Sequence, residues 1–351
     1  MNATTTCPRD LVLAQIAHRE TDHVPYVLGM EENVARALDE HYASDGWRAL
    51  LENAIVTVGG ANLSVAGYEP GDSPLFTDAF GSVWRIDRRP NHLAQPALPE
   101  ASLDGFQWPA MDRCFRPGWR EKAEAAIAAR PDRLTVAGFG FGLFERAWTL
   151  RGFNEALMDA AGDPAFYDAL VEAVAVHQME VIDCLLALPV DGILFSDDWG
   201  YQQGILLGPE RWRRFIKPRL ARMYEQVHAA GKYCLSHCCG SVVDIMPDLV
   251  EIGLDVLESV QPEARGMNPY ALKQEYGAHI TFWGGLGSQS TIPFGTPDEI
   301  RREVARLADE MGRGGGYVLG PAKALQPETP TENAAAVLEG FLAQAGVPWP
   351  A

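Results

Sequence analysis

The chain has 351 residues, 47% of them hydrophobic and 22% charged, and its formal net charge is −18. This is a globular composition, and the negative charge argues against a nucleic-acid partner, because such binding depends on clustered Lys and Arg residues. No apolar run approaches the roughly 20 residues that span a bilayer. The opening MNATTTCPRD does not resemble a secretory signal, and the six cysteines are not spaced as a disulfide framework. We therefore expect a cytoplasmic protein with reduced thiols and no membrane contact.

Eight short apolar or β-branched runs recur along the chain, each followed by turn residues and then by helical periodicity. They are HVPYVLG (23–29), AIVTVGGANLSV (54–65), RLTVAGFG (133–140), GILFSDDWG (192–200), YCLSHCCG (233–240), LDVLESV (254–260), HITFWGGLG (279–287) and GYVLGP (316–321). The alternation predicts parallel strands with crossover helices. Eight such units favour an α/β fold of the (β/α)8 TIM-barrel type, forming one domain over residues 1–351, with an open doubly wound sheet as the alternative.

The segments between these runs predict helices and one insertion. Residues 153–188 have helical periodicity with a Gly-Asp-Pro break, which predicts two helices because proline cannot continue a helix. Residues 240–253 and 296–316 predict amphipathic helices. The pattern weakens around residues 66–130, where 78–89 predicts a hairpin and the Pro-rich stretch 91–109 predicts a loop. We expect an insertion there, besides a short N-terminal extension.

A candidate metal site lies in LSHCCGS (235–241), at the end of a predicted strand. Residues two apart in a strand point the same way, so His237 and Cys239 can converge on one point. Imidazole and thiolate suit zinc, and a catalytic zinc usually has three protein ligands and one open position. Glu258 ends the next strand, about 4.8 Å away, and is the predicted third ligand. The alternative is a packed cysteine beside a histidine bonded to backbone.

The stretch SDDWGYQQG (196–204) places two adjacent carboxylates at another strand end. Asp197 and Asp198 face opposite sides of an extended strand, so at most one points into the barrel mouth as a general acid. The alternative is a loop in which these carboxylates accept hydrogen bonds from backbone amides.

Nearby side chains predict a substrate pocket with aromatic walls and amide hydrogen bonds, although packing explains the tryptophans equally well. The predicted pocket residues are Trp199, Tyr201, Gln202, Trp283 and Gln289. In FERAWTLRGF (144–153), Arg146 is a candidate for gripping a substrate carboxylate, with a solvated helix face as the alternative.

Over nearly its full length the chain resembles the uroporphyrinogen decarboxylase superfamily, which also contains corrinoid-linked methyltransferases. The resemblance is carried by PRDLVLAQIAHRETDHVP (8–25), WTLRGFNEALMDAAGDP (148–164), DGILFSDDWGYQQG (191–204), the stretch from HCCGSVVDIMP to KQEYG (237–277), FWGGLGSQSTIPFGTPDEIRREV (282–304) and GPAKALQPETPTEN (320–333). It implies a (β/α)8 barrel.

In the methyltransferase branch, the resemblance implies a zinc held by a His-X-Cys pair and a later Cys. That metal turns a thiol substrate into a thiolate, which takes a methyl group from a cobalamin protein. His237 and Cys239 match the pair. Glu258 corresponds to a zinc-binding glutamate of the distantly similar cobalamin-independent methionine synthase.

The sequence departs from the family pattern in two places that bear on its zinc ligands and its activity. Lys323 stands where the methyltransferases carry their second zinc Cys and the decarboxylases carry a His. The arginines after the first strand and the aspartate after the second strand of true uroporphyrinogen decarboxylases are missing from GMEENVARAL (29–38) and GANLSVAGYEP (60–70). We therefore do not expect uroporphyrinogen decarboxylation.

Three functional hypotheses follow. The leading one is methyl transfer, assisted by zinc, between a small methylated substrate or thiol and a corrinoid carrier protein that supplies the cobalamin. The second is a metal-free decarboxylase or lyase, in which Lys323 holds a small acid and Asp197 or Asp198 moves a proton. The third is a non-catalytic binding subunit, supported by the absence of a cysteine at position 323. A homodimer is a candidate assembly.

Overall fold

The computed structural model describes residues 7–61, 73–88 and 90–349. The predicted end of the second strand (62–65), the first residues of the predicted insertion and residue 89 lie outside the described residues. Within the described ranges, no helix is long and apolar enough to span a membrane.

Most of the predicted strands form one parallel sheet. The described strands are β1 (Ile55–Ala61), β2 (Leu75–Thr77), β3 (Val83–Arg85), β4 (His92–Gln95), β5 (Leu134–Phe139), β6 (Gly192–Ser196), β7 (Gly200–Tyr201), β8 (Gly204–Ile205), β9 (Tyr233–His237), β10 (Val256–Val260), β11 (Thr281–Leu286) and β12 (Tyr317–Pro321). Seven of them form a curled parallel sheet in the order β1-β5-β6-β9-β10-β11-β12. This order follows the chain without reversal, whereas a doubly wound sheet reverses at a switch point.

Helices connect these strands. The described α-helices are α1 (Pro8–Ile16), α2 (Glu32–His41), α3 (Trp119–Ala128), α4 (Leu143–Arg151), α5 (Phe153–Gly162), α6 (Pro164–Leu186), α7 (Pro209–Arg211), α8 (Lys217–Ala229), α9 (Met246–Glu251), α10 (Pro269–Tyr276), α11 (Thr291–Phe294), α12 (Pro297–Gly312) and α13 (Thr331–Gln344). Short 3-10 turns cover Gly46–Leu50, Met111–Arg113 and Val243–Ile245, and a π-helical turn covers Trp212–Ile216.

The predicted helix boundaries are confirmed where capping residues set them. The Gly-Asp-Pro break separates α5 from α6, and the Asp163 side chain accepts a hydrogen bond from the Phe166 amide at the start of α6. At α12, Thr296 and Glu299 form a reciprocal capping box that satisfies two otherwise free amides. The helix predicted over 240–253 is shorter, because α9 begins only at Met246 after a 3-10 turn.

The first predicted strand, residues 23–29, is not a strand of this sheet. It forms two isolated parallel bridges, one between Tyr26 and Leu319 and one between Met30 and Leu325. Pro25 has no amide hydrogen to donate, which interrupts a regular ladder. The prediction of strand structure was therefore wrong here, although the segment lies beside β12 as a first strand would.

The same segment also contacts the residues that precede β1. The Ala54 amide donates to the Tyr26 carbonyl at 2.8 Å. The Asn53 side chain accepts from the Leu28 amide at 2.8 Å and donates to the Leu28 carbonyl at 3.3 Å. Residues 25–30 therefore lie between the two edge strands of the sheet, β12 and β1.

The inner face of the sheet has its own apolar core. Every strand of the parallel sheet contributes to one cluster: Ile55, Leu134, Val136, Leu194, Leu235, Val256, Trp283 and Val318, joined by Val27 and by Val12 of α1. Because side chains alternate along a strand, residues two positions beyond Leu235 and Val256 face the same interior. Those residues are His237 and Glu258, which are paired in register between β9 and β10.

An insertion separates β1 from β5, as predicted. It contains an antiparallel sheet in the order β2-β3-β4, so the predicted hairpin is part of three strands, and β4 lies in the stretch predicted as a loop. Trp84 of β3 stacks on Phe141 with ring centroids 5.5 Å apart. The insertion therefore packs against the loop that follows β5.

We expect Asn53→Ala to lower the free energy of unfolding by about 1–3 kcal/mol, because it leaves the buried Leu28 amide and carbonyl without partners. Denaturant titration measures this change, and hydrogen exchange at residues 25–30 should accelerate with it. Asn154→Ala, an exposed position on α5, is the matched control and should change stability by less than about 0.5 kcal/mol. Equal effects of the two substitutions would contradict a clamping role for Asn53.

Candidate functional site

The centre of the site is a histidine held by a carboxylate. His237 ends β9 and Glu258 lies opposite it on β10, so both side chains project from the same layer of the inner face. The Glu258 carboxylate accepts a hydrogen bond from His237 Nδ1. This contact fixes the ring and directs Nε2 away from Glu258, toward Cys239.

Cys239 and Asp198 complete the arrangement around Nε2. Cys239 Sγ lies 3.4 Å from His237 Nε2, and Asp198 Oδ1 lies 3.6 Å from the same nitrogen. Asp198 Oδ1 also accepts a hydrogen bond from the Cys239 amide at 2.9 Å. One ligand atom from each of these residues lies within 4.8 Å of the others. Three donors of different chemistry therefore converge on one point.

The charge state of the imidazole reflects its neighbours. Burial alone would lower the pKa of His237, but the Glu258 carboxylate and the Cys239 sulfur raise it well above its usual value. These neighbours therefore favour a positive charge at this place. A metal ion bound by Nε2 would satisfy the same preference, since His binds metals as a neutral imidazole.

Glu258, the predicted third ligand, and Asp198 lie on opposite sides of the His237 ring. Glu258 contacts Nδ1, the nitrogen that faces away from Cys239, whereas Asp198 lies on the side of Nε2. A carboxylate on the second ring nitrogen is the usual arrangement of a metal-binding histidine. Asp198, His237 and Cys239 thus bring their donor atoms together on the Nε2 side of the ring, and Glu258 lies on the Nδ1 side.

Asp197, predicted as an alternative general acid, is hydrogen-bonded to neighbouring backbone and to an indole. Its buried carboxylate accepts hydrogen bonds from the Phe144 amide at 2.9 Å, the Glu145 amide at 2.8 Å and the Trp199 indole at 2.6 Å. A Cβ atom at position 142 would lie 2.5 Å from Asp197 Cβ, so glycine is required there. Asp197 thus joins the start of α4 to the end of β6 and orients its neighbour Asp198.

Glu145 is a half-buried acidic group that the sequence reasoning missed. Its carboxyl group accepts a hydrogen bond from the Asp198 amide, and burial together with Asp197 and Asp198 raises its pKa. Arg146 was singled out from the same segment, but neighbouring residues of a helix point about 100° apart, so only one of them could face the site. Glu145 lies in the first turn of the helix after β5, and this position is the signal that could have identified it from the sequence.

A cavity of about 390 Å³ opens beside Cys239. Its lining includes four residues predicted for substrate binding or catalysis: Tyr201, Gln202, Gln289 and Lys323. The Gln202 side-chain amide donates to Gln289 Oε1 at 3.2 Å across the opening. Lys323 is exposed, and its backbone amide donates to Ser288 Oγ at 2.8 Å.

Three predicted pocket residues lie elsewhere. Trp199 is buried, with its indole nitrogen bonded to Asp197. Trp283 packs in the apolar interior of the sheet. The Arg146 side chain is 1% exposed. Its Nη1 lies 3.5 Å from Asp78 Oδ2, and its guanidinium group stacks on the Phe80 ring in the insertion. Each of these side chains has a packing partner that the sequence pattern did not reveal.

Gln261 is a second residue that the sequence reasoning missed. It follows β10, lines the cavity and is 7% exposed. Its Oε1 accepts a hydrogen bond from the Gly240 amide at 3.0 Å, while its Nε2 has no hydrogen-bond partner among the described residues. Nothing in the local sequence marks it, because its position depends on how the loops after β9 and β10 meet.

Comparisons with known proteins identify the family. The family model described as Uroporphyrinogen decarboxylase (URO-D) matches residues 91–341. Methylcobamide:CoM methyltransferase MtaA of Methanosarcina barkeri is 31% identical over 361 residues, covering 93% of this chain and 95% of the relative. Uroporphyrinogen decarboxylase of Thermus thermophilus is 26% identical over 182 residues, covering 51% of this chain and 49% of the relative.

A solved structure supports the same assignment of the fold. A methyltransferase from Methanosarcina mazei superposes with a TM-score of 0.72 at 20% identity, covering 95% of this chain and 98% of that one. The family match, which spans more than half of the residues, and the 31% identity to the M. barkeri methyltransferase show that the chain belongs to the uroporphyrinogen decarboxylase (URO-D) family.

Proposed function

We propose that this protein transfers a methyl group between a corrinoid carrier protein and a small thiol or methylated substrate, with the help of a zinc ion. The observation that carries the proposal is the convergence of Asp198, His237 and Cys239 beside a cavity. The relationship to the M. barkeri methyltransferase over nearly the whole chain supports the type of reaction.

The donor set fits a catalytic zinc. Nitrogen, sulfur and carboxylate ligands are those that zinc takes, and three protein ligands leave a fourth position open for a substrate. Glu258 would orient His237 through Nδ1 and increase the basicity of its Nε2. When bound, zinc would lower the pKa of a coordinated substrate thiol and make it a nucleophile at neutral pH.

Other residues of the chain hold this centre in place. Asp197 fixes the loop that carries Asp198 through two backbone amides and the Trp199 indole. The substrate would enter through the cavity, past Tyr201 and the Gln202–Gln289 pair. The ammonium group of Lys323 cannot ligate a metal, but at the cavity wall it supplies a positive charge for the substrate.

We also propose that the sheet closes into a (β/α)8 barrel through residues 25–30. The contacts of this segment with both β12 and the residues before β1 support closure. Its Val27 side chain joins the interior cluster to which every strand of the parallel sheet contributes. The metal ligands would then lie at the carboxyl-terminal mouth, where barrel enzymes carry their active sites, and the corrinoid protein would dock over that mouth.

We expect purified protein supplemented with zinc to hold about one equivalent of the metal, since three donors and a water complete a tetrahedral site. His237→Ala and Cys239→Ala should each retain less than about one-tenth of that amount, because two remaining ligands do not make a stable zinc site. Elemental analysis after gel filtration measures the content. Cys184→Ala removes a thiol elsewhere on the chain and should leave it unchanged; loss of zinc in this control, or none in the wild type, would contradict the site.

Glu258→Gln should weaken zinc affinity about 10–100-fold, because it replaces the carboxylate that orients a metal-binding histidine. Competition with a chromophoric chelator measures the dissociation constant. Glu328→Gln makes the same chemical change at an exposed position on the cavity wall and should alter zinc affinity by less than about threefold. If both variants bound zinc as tightly as the wild type, Glu258 would have no part in the metal site.

The reaction itself is tested with methylcobalamin and a thiol acceptor. The zinc-loaded wild type should demethylate methylcobalamin, and Cys239→Ala should slow this at least about 100-fold, since metal activation supplies several kcal/mol of transition-state stabilisation. The absorbance change of the corrinoid and mass spectrometry of the thioether follow the reaction. The proposal fails if the wild type instead releases carbon dioxide from small acids, independently of chelators and dependent on Lys323, without methyl transfer.

A further inference from the structure

We propose that Arg265 is a positioning residue that fixes the β7–β8 hairpin at the cavity opening and thereby limits the size of the molecule that can reach Cys239. The hairpin residues Gly200, Tyr201 and Gln202 line the cavity of about 390 Å³ together with Cys239. Such a limit deepens the proposed function, because it restricts the substrate to a small molecule, and it rests on that function for the place of the reaction beside Cys239.

The hairpin is not held in place by its own hydrogen bonds alone. Two residue pairs join its strands, Gly200 with Ile205 and Tyr201 with Gly204, and an isolated two-stranded hairpin is marginally stable at best. Each pair contains a glycine, which has no side chain for packing. The position of the hairpin therefore depends on contacts with loops that follow other strands.

The base of the hairpin packs on the loop that follows β9. The Ser241 amide donates to the Tyr201 carbonyl at 2.9 Å. A Cβ atom at position 200 would lie 2.6 Å from the Cys239 carbonyl oxygen, and one at position 240 would lie 2.7 Å from the Tyr201 amide nitrogen. The two backbones thus touch beside Cys239, and glycine is required at both contact points.

Arg265 holds the tip of the hairpin, which is formed by Gln202 and Gln203. Its amide donates to the Gln202 carbonyl at 2.9 Å, and its Nε donates to the Gln203 carbonyl at 2.7 Å. Its Nη2 binds the Asp244 carboxylate in the loop after β9, and its own carbonyl accepts a hydrogen bond from Ser241 Oγ at 2.7 Å. One residue of the loop after β10 therefore ties the hairpin tip to the loop after β9.

The shape of the guanidinium group suits this role. Its donors point in fixed directions, so one side chain can bind a backbone carbonyl and a carboxylate at the same time. The ion pair packs closely on the hairpin, because a Cβ atom at position 204 would lie 3.2 Å from Arg265 Nη2. The Arg265 side chain is 47% exposed and that of Asp244 is 35% exposed. An ion pair of this kind adds little stability, so its effect is to orient the guanidinium group toward the hairpin.

The hairpin tip carries a side chain that crosses the cavity opening. Gln202 Nε2 donates to Gln289 Oε1 at 3.2 Å. The Gln289 amide donates at 2.8 Å to Glu263 Oε1, two residues before Arg265 in the same loop. These hydrogen bonds join the hairpin to the loops after β10 and β11 around the opening. Loss of the Arg265 guanidinium group should therefore let the tip move and widen the opening.

Alkylation of Cys239 in the metal-free, full-length protein tests this inference. Iodoacetamide is the small reagent and fluorescein maleimide is the bulky one, and peptide mass spectrometry gives the rate at each cysteine. Dividing the rate in the urea-unfolded protein by the rate in the folded protein gives the protection of Cys239. In the wild type, Cys239 should be protected at least about tenfold more strongly from the bulky reagent, because that reagent requires local opening. Equal protection from the two reagents would overturn the proposal.

Variants identify the residue that sets the opening. Arg265→Ala should let the bulky reagent modify Cys239 at least about fivefold faster, because the lost hydrogen bonds make local opening easier. Iodoacetamide, which enters without that opening, should change by less than about twofold. Asp244→Asn removes the charge that orients the guanidinium group and should accelerate the bulky reagent about two- to threefold. Acceleration of both reagents to the same extent, or of neither, would contradict the role of Arg265.

Two controls separate positioning from a general loss of structure. Arg36→Ala removes an exposed arginine that pairs with Glu32 on α2 and should leave both rates at Cys239 unchanged. Cys234 is fully buried and should stay unmodified in Arg265→Ala. If Cys234 reacted in step with Cys239, the arginine would only stabilise the fold, and the proposal would be refuted.

The assay is independent of the proposed function, because it uses no metal, corrinoid or substrate. Selective access of the bulky reagent to Cys239 in Arg265→Ala therefore supports the positioning role even if methyl transfer is never observed. If Arg265→Ala does not fold, which thermal melting detects, Asp244→Asn decides, and unchanged reaction of the bulky reagent in that variant would overturn the proposal.

Discussion

The parallel register between β9 and β10 is the constraint on which the site depends. It pairs His237 with Glu258, so a carboxylate meets one ring nitrogen and leaves the other to face Cys239. A shift of one residue in either strand would turn one of these side chains to the opposite face of the sheet. The apolar layer beneath them, which includes Leu235 and Val256, resists such a shift, because burying that layer sets the register.

In the acidic loop after β6, two neighbouring aspartates have different roles. Asp197 is engaged by the backbone of α4 and by an indole, and this holds Asp198 beside the histidine and the cysteine. Glu145 adds a further, half-buried carboxyl group nearby. Its burial beside Asp197 and Asp198 raises the pKa of Glu145 to about 9, which favours the neutral form of the carboxyl group.

Much of this could be predicted from the sequence. Strand periodicity identified His237 and Cys239 as a pair, and the order of the strands placed Glu258 next to them. All seven strands of the parallel sheet were predicted, because buried parallel strands are continuous apolar runs. The prediction of a strand over residues 23–29 was wrong because Pro25 interrupts the hydrogen bonding of this segment. Hydrophobic periodicity does not report that local effect.

The remaining differences arise where loops from distant parts of the chain meet. Arg146 is directed into the insertion by Asp78 and Phe80, and Gln261 gains its orientation from the Gly240 amide. Neither contact leaves a local pattern in the sequence.

X-ray absorption spectroscopy at the zinc edge tests the central claim, that His237, Cys239 and Asp198 bind a zinc ion, most directly. A shell with one sulfur at about 2.3 Å and nitrogen or oxygen ligands at about 2.0–2.2 Å is the predicted result, whereas a shell without sulfur would contradict the account.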